Sequence, residues 1–205
     1  IEKNFPNKLL NLSLTTLNYP KLDKLVASEI EKKLDVFFSP NLNFGAYSNE
    51  VAHILTIHDL SFEFFSECYS TKRQIWHKVI NIKQKINQAD KILCPSKNTK
   101  QDIEDLYDID NSKLEVLRPG INKKKLTQKS LTETRKKFNL KKNFIFFLGT
   151  VEPRKNILSA VSAFNRLNLA KFEFIIAGAD GWRNEQIKEE IETSENIRYI
   201  GYVTD

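Results

Sequence analysis

The chain contains no methionine, only two cysteines and only six glycines among its 205 residues. Each shortage excludes something. Without methionine the chain is expected not to begin at its natural start, and no signal-peptide pattern stands at Ile1. Cys68 and Cys94, with three scattered histidines, supply neither a disulfide framework nor the ligand spacing of a zinc site. A reducing compartment and no bound metal are therefore expected. The glycines never fall into Gly-x-Gly-x-x-Gly or Walker spacing, which argues against a dinucleotide enzyme or a P-loop ATPase. No apolar run approaches the roughly 18 residues of a membrane helix. Basic residues are not interleaved with aromatics as on an RNA-binding surface, so no nucleic-acid partner is expected.

What is present is ordinary globular composition, 40% hydrophobic and 28% charged, with a net charge of +6. That length and apolar content suffice for more than one average domain. The charge fits a solvated lysine-rich surface, or attraction to phosphorylated ligands or an anionic membrane face.

Residues 1–20 carry no clean period and read as loop with room for one short element. From residue 21, Leu22, Leu25, Val26, Ile30 and Leu34 share a helical face. Strands are predicted at 35–39, 51–57, 91–94 and 114–117, with helices at 71–89 and from about 98 to 107. Ser96 or Asn98 can cap the second of these helices. Residues 121–142, rich in Lys and Thr, read as a connection with a short helix at 131–138. The rhythm then restarts, with strands at 143–148, 172–177 and 197–203 and helices at 157–168 and 184–192. Strands alternating with helices of this length predict parallel βαβ units. Uninterrupted apolar runs such as Phe144-Ile145-Phe146-Phe147-Leu148 fit strands covered on both faces. The fold class is α/β in two halves, both expected to be incomplete.

The strongest local feature is Gly149-Thr150-Val151-Glu152-Pro153-Arg154-Lys155-Asn156, where a buried strand runs into a helix. Helix-terminal amides and a cationic pair suit a diphosphate there, although a basic pair can also simply decorate a surface loop. His58-Asp59 stands at another strand end, where the His could bond a sugar hydroxyl and Asp59 could orient it. The plainer reading is a strand-end His bonded to backbone. Gly178-Ala179-Asp180-Gly181-Trp182 and Gly201-Tyr202-Val203 follow the next two strands. A tight turn is the favoured reading of the first. Three successive βα loops on one sheet edge would form a coherent binding edge.

Several segments together resemble a known family. These are Ile54-Leu55-Thr56-Ile57-His58-Asp59-Leu60, Ala89-Asp90-Lys91-Ile92-Leu93-Cys94-Pro95-Ser96 and Val116-Leu117-Arg118-Pro119-Gly120. With the Glu-Pro-Arg-Lys-Asn loop, Ile176-Ala177-Gly178 and Ile200-Gly201-Tyr202-Val203, they resemble retaining GT-B glycosyltransferases of the family 4 type, in flavour the mannosyltransferases. The resemblance implies two Rossmann-like parallel-sheet domains facing across a cleft. Residues 1–120 would be the later part of the N-terminal, acceptor-side domain, and 121–205 the first part of the donor-binding domain.

It implies transfer of a sugar, mannose being the expected one, from a nucleotide-diphosphate sugar to a glycan or lipid-linked acceptor, with retention and no essential metal or other cofactor. Lys155 matches the family's diphosphate-binding lysine, and Arg154, Asn156 and Thr150 adjoin it. Thr150 stands where the family often has arginine, so one phosphate contact is missing or comes from Arg154. His58 matches the histidine facing the donor sugar, with Asp59 beside it. Gly120, Gly149, Gly178, Tyr202 and Val203 would line the nucleotide side of the cleft. The family's glutamate pair would fall beyond Asp205, so the chain alone is expected not to be competent for transfer. A cytoplasmic location with peripheral contact at the inner membrane face is a further expectation. The alternatives are a non-catalytic nucleotide- or partner-binding α/β module and a sugar-nucleotide epimerase.

Overall fold

The computed structural model describes residues 6–123, 125–140, 143–167 and 169–204. The start of the predicted opening loop, the predicted ends at Lys142 and Asn168, and Asp205 lie outside the described residues. The chain forms two compact units, Ile1–Ile121 and Asn122–Asp205.

The first unit runs α1 (Asn7–Thr16), α2 (Leu22–Ile30), β1 (Val36–Ser39), β2 (Ala52–Thr56), α3 (Ser61–Phe64), α4 (Thr71–Ile80), α5 (Ile82–Gln88), β3 (Lys91–Cys94), α6 (Lys97–Leu106) and β4 (Leu114–Val116). Its strands form one parallel sheet in sequence order, with Ser39 opposite Leu55, Thr56 opposite Leu93 and Cys94 opposite Val116. Leu55, Ile57, Ile82, Ile86, Ile92 and Ile103 build the core between sheet and helices.

Three elements differ from the periodicity reading. α1 lies where loop is predicted: a Ser-, Thr- and Asn-rich segment has weak helix propensity, and only Leu14 of this helix is buried. The single helix predicted at 71–89 is two, broken at Asn81, which adopts φ 53° and ψ 73°. Asparagine tolerates that left-handed conformation, and its side chain caps α5 by accepting from the Gln84 amide at 3.2 Å. The break turns Ile82 and Ile86 into the core and leaves Ile75 and Val79 of α4 exposed. α2 stops at Ile30, short of Leu34, because Glu31 takes a left-handed conformation. Between the two caps offered for α6 the structure selects Ser96, whose Oγ accepts from the Thr99 amide at 3.0 Å.

The second unit runs α7 (Gln128–Lys137), β5 (Phe144–Leu148), α8 (Ile157–Leu167), β6 (Glu173–Ala177), α9 (Glu185–Thr193) and β7 (Ile197–Tyr199). The parallel sheet has the order β5-β6-β7. Every residue of β6 is buried, as its apolar run predicts. β5 is not doubly covered: it is an edge strand of this sheet, and Phe146 and Leu148 are 50% and 65% exposed. β7 ends at Tyr199 rather than 203, although Ile200 N still donates to Ile176 O at 2.9 Å. The buried Glu173 carboxylate receives Arg198 Nε at 2.5 Å. Arg198 Nη2 also donates to the carbonyls of Phe138 and Asn139 at 3.1 and 3.0 Å, which ties β6 and β7 to the end of α7.

Candidate functional site

In the second unit the three strands end side by side, and glycine lets their loops close on one another. Gly149 N donates to Ala177 O at 2.9 Å, and Gly178 N to Gly201 O at 2.8 Å. Gly178 has φ +145°, and a Cβ there would overlap the Gly149 carbonyl. Gly181 also packs close, since its Cβ would stand 2.7 Å from Val151 O and 3.0 Å from Thr150 Cγ2. The 178–181 segment is therefore a close backbone approach to the 149–152 segment. Val151 N donates to Ala179 O at 2.9 Å and its carbonyl accepts from Gly181 N at 3.0 Å, so the two segments form one platform.

On this platform Glu152 is 2% exposed, and Pro153–Lys155 form a single 3-10 turn. Arg154 donates to Glu152 Oε1 through Nε at 3.1 Å and Nη2 at 2.9 Å. Asn156 follows in a left-handed conformation, φ 52° and ψ 38°, and its Oδ1 accepts from Ser159 Oγ at 2.7 Å across the first turn of α8. Lys155 is exposed, and its Cε lies 3.9 Å from where a Cβ on Gly149 would be. The side chain thus curls back over the end of β5. Among the described residues the Lys155 side chain has no hydrogen-bond or ion-pair partner, while its amide donates to Glu152 O at 3.1 Å. A helix N-terminus leaves amides without intrahelical acceptors, so the start of α8 and the Lys155 ammonium bring donors and positive charge to the same loop.

Tyr199, which the sequence reading did not name, and Asp180, named there only as part of a turn, hold the platform. Tyr199 Oη donates to Gly178 O at 2.8 Å and Asp180 Oδ1 at 3.0 Å. Asp180 also receives Lys188 at 2.9 Å. Hydrogen bonds from Lys188 and then Tyr199 hold its carboxyl below the usual range. Their signal in sequence is only a polar residue beside each glycine loop. Gly201 has φ +73°, Tyr202 is 74% exposed and Val203 is partly buried.

In the first unit His58 stands just past β2. Its Nε2 lies 3.0 Å from Pro40 O and its own carbonyl accepts from Thr99 Oγ1 at 3.1 Å. A carbonyl only accepts, so Nε2 carries a proton and donates to Pro40. Asp59 Oδ1 accepts from the Ser61 amide at 2.9 Å and from Ser61 Oγ at 2.5 Å, so this oxygen fixes the turn into α3. Gly120 is exposed beyond β4, with nothing within 4 Å of where a Cβ would stand. No steric demand requires glycine at that position.

His53 and His77, minor in the sequence reading, are more deeply embedded. His53 is buried with Nε2 2.9 Å from Ser39 Oγ, its ring stacked on Tyr47 at 3.9 Å, and its Nδ1 without a partner. Among the described residues no group of three or more His, Cys, Asp or Glu side chains could hold a metal ion. No helix among them is long and apolar enough to cross a membrane.

Two units of parallel βαβ build, the second with glycine-lined loops at the carboxyl ends of its strands, match the GT-B class of fold. The chain belongs to glycosyltransferase family 4: residues 2–125 match the model of Glycosyltransferase Family 4, and residues 129–205 match that of Glycosyl transferases group 1. It is 24% identical over 161 residues to the O-antigen chain mannosyltransferase B of Escherichia coli, covering 74% of this chain and 42% of that protein. The chain thus spans less than half the length of that curated relative. Among solved structures, a glycosyltransferase from Rickettsia africae is 16% identical with a TM-score of 0.61, covering 100% of this chain and 54% of that one. Anabaena Alr3699/HepE, solved with UDP and glucose, is 15% identical with a TM-score of 0.56, covering 88% of this chain and 50% of that one. Both carry the fold resemblance.

Proposed function

We propose that the protein transfers a hexosyl group, mannose in the first instance, from a nucleotide-diphosphate sugar to a glycan or lipid-linked acceptor with retention of configuration. The observation that carries this reading is Lys155, whose ammonium has no partner among the described residues and folds over Gly149 at the start of α8. The bond from sugar C1 to the diphosphate oxygen breaks, and a bond to an acceptor hydroxyl forms on the same face of the ring. The acceptor proton passes to the departing diphosphate. Lys155 and the first amides of α8 take up the charge that develops there, so no essential metal is required in this reading. His58, whose Nε2 is held by the Pro40 carbonyl, contributes a contact to a sugar hydroxyl through its other ring nitrogen.

The relative from Escherichia coli, named a mannosyltransferase, supports mannose as the sugar. The UDP and glucose of the Anabaena structure support a nucleotide-sugar donor. A cytoplasmic location with peripheral contact at the inner membrane face belongs to the same reading, supported by the net charge of +6 and the exposed Ile75 and Val79. The test is transfer by the full-length protein from labelled GDP-mannose and UDP-glucose to a lipid-linked glycan, with the product's anomeric configuration read by NMR. An α-linked product from the α-configured donor is expected. A β-linked product removes retention, and absence of transfer from either donor removes the reading.

A further inference from the structure

The segment following His58 builds a cavity that the diphosphate platform does not use. α3, the 3-10 turn Ser66–Cys68 and α4 enclose about 230 Å3, lined among others by Phe62, Glu63, Tyr69, Gln74, His77 and Lys78. One wall is aromatic and rigid. Phe62 lies flat on the His77 ring at 4.0 Å and 5°, while Tyr69 and Trp76 meet that ring edge-on at 5.7 and 4.8 Å. The other wall is polar and fixed. Gln74 Nε2 donates to Ser66 O at 2.8 Å and Tyr69 O at 3.1 Å, which orients the amide and leaves its carbonyl oxygen unpaired. Glu63 accepts from Tyr107 Oη at 3.0 Å through one oxygen and keeps the other.

The cavity therefore offers acceptors from Glu63 and Gln74, donors from Lys78, and both roles from His77. Burial, and then Arg73, hold the His77 pKa below its ordinary value, so the ring is neutral near pH 7 with one donor and one acceptor nitrogen. Mixed donors and acceptors in fixed places around an aromatic wall match a neutral polyhydroxylated ring, whose C–H face packs on the aromatic side. They do not match a phosphate, which Glu63 would repel, nor an acyl chain, which would leave Glu63 and Gln74 desolvated and unpaired. A wider opening of about 530 Å3, bordered by Ser70, Lys72, Arg73 and Trp76, shares the His77 ring and gives a longer saccharide room to continue. Ser61 Oγ bonds both Asp59 Oδ1 at 2.5 Å and Tyr69 Oη at 2.6 Å, which links the cavity wall to the residue next to His58.

We infer that this cavity is a saccharide subsite that seats one hexopyranose unit of the acceptor glycan. Its role as an acceptor site rests on the transfer reading above, whereas its affinity for saccharide does not. Two tryptophans stand among positions 1–205, and Trp182→Phe leaves Trp76, which borders the wider opening and packs on the His77 ring of the cavity, as the indole reporter of this stretch. This protein is titrated with methyl α-mannoside, methyl α-glucoside, methyl α-galactoside and α-1,2-mannobiose, without nucleotide. A saturable change in Trp76 emission with at least one of these is expected. Affinity should fall at least about tenfold in Glu63→Ala, an exposed position that leaves the fold intact by circular dichroism, and again in Phe62→Leu. No saturable change with any of the four sugars, or binding unaltered in both variants, overturns the inference. A blue shift of Trp76 with phosphatidylglycerol vesicles but not with sugars also overturns it, and assigns the surface to membrane. GDP and UDP titrations on the same protein separate the two readings. Nucleotide binding without saccharide binding sinks only this subsite, and saccharide binding without nucleotide binding sinks only the donor platform.

Discussion

The guanidinium of Arg154 is bound to the carboxylate of Glu152, two residues earlier, through Nε and Nη2 onto a single oxygen. The Glu152 side chain is 3% exposed and that of Arg154 28% exposed. In the loop proposed to hold the diphosphate a buried carboxylate would oppose the ligand, and Arg154 cancels it. The pair is nearly neutral and shapes the turn, which leaves Lys155 as a loop cation with no side-chain partner among the described residues. Thr150, in the place where the family often carries arginine, contributes a methyl contact toward Gly181.

This division of roles predicts an asymmetry. Arg154→Ala leaves Glu152 buried and unpaired, which is expected to lower stability by about 2 kcal/mol or more, less than for a fully buried pair because Arg154 is partly hydrated. It should also weaken nucleotide-sugar binding by restoring repulsion. Arg154→Ala combined with Glu152→Gln should recover a large part of both losses. A double-mutant cycle by urea denaturation and calorimetry checks this, and strict additivity would show that the pair is not coupled.

The glycines separate in the same way. Gly178→Ala meets both a positive φ and the Gly149 carbonyl, so a loss of about 2–4 kcal/mol is expected, together with a distorted platform. Gly120→Ala meets open space and a permissible φ, and should change stability by less than about 0.5 kcal/mol. Equal effects at the two positions by chemical denaturation would contradict the packing described for Gly178.

His53 predicts a pH dependence of stability. Burial first, and then Lys85, lower its pKa from 6.5 to about 4, while Asp90 and Asp23 oppose the shift. The fold holds the neutral ring, so the unfolded chain takes up the proton first as pH falls. The contribution of His53 is therefore complete above about pH 6.5 and is lost as pH falls from there to about 4. The slope is at most about 1.4 kcal/mol per pH unit. Subtracting the pH profile of His53→Gln from that of the wild type isolates this segment. A difference that stays flat between pH 6.5 and 4 would contradict a buried neutral His53.

Strand positions and the shared binding edge are legible because apolar runs that end in glycine or proline are local signals. The break at Asn81 is not, since Ile75, Val79, Ile82 and Ile86 keep helical spacing straight through it, and only a left-handed asparagine separates them. Whether Phe144–Leu148 is central or at an edge is a property of strand order, which no local pattern carries. Glu152 was visible as part of a motif, yet its burial against Gly181 is a contact across 29 positions of chain. The mutual support of Asp180 and Tyr199 was hidden for the same reason.

The most direct measurement is calorimetric titration of the full-length protein and its Lys155→Ala variant with UDP- and GDP-sugars. The variant is expected to lose at least about tenfold in affinity, about 1.4 kcal/mol or more, with an unchanged thermal midpoint. Equal affinity in the two proteins would contradict the assignment of Lys155 and the start of α8 as the donor diphosphate site.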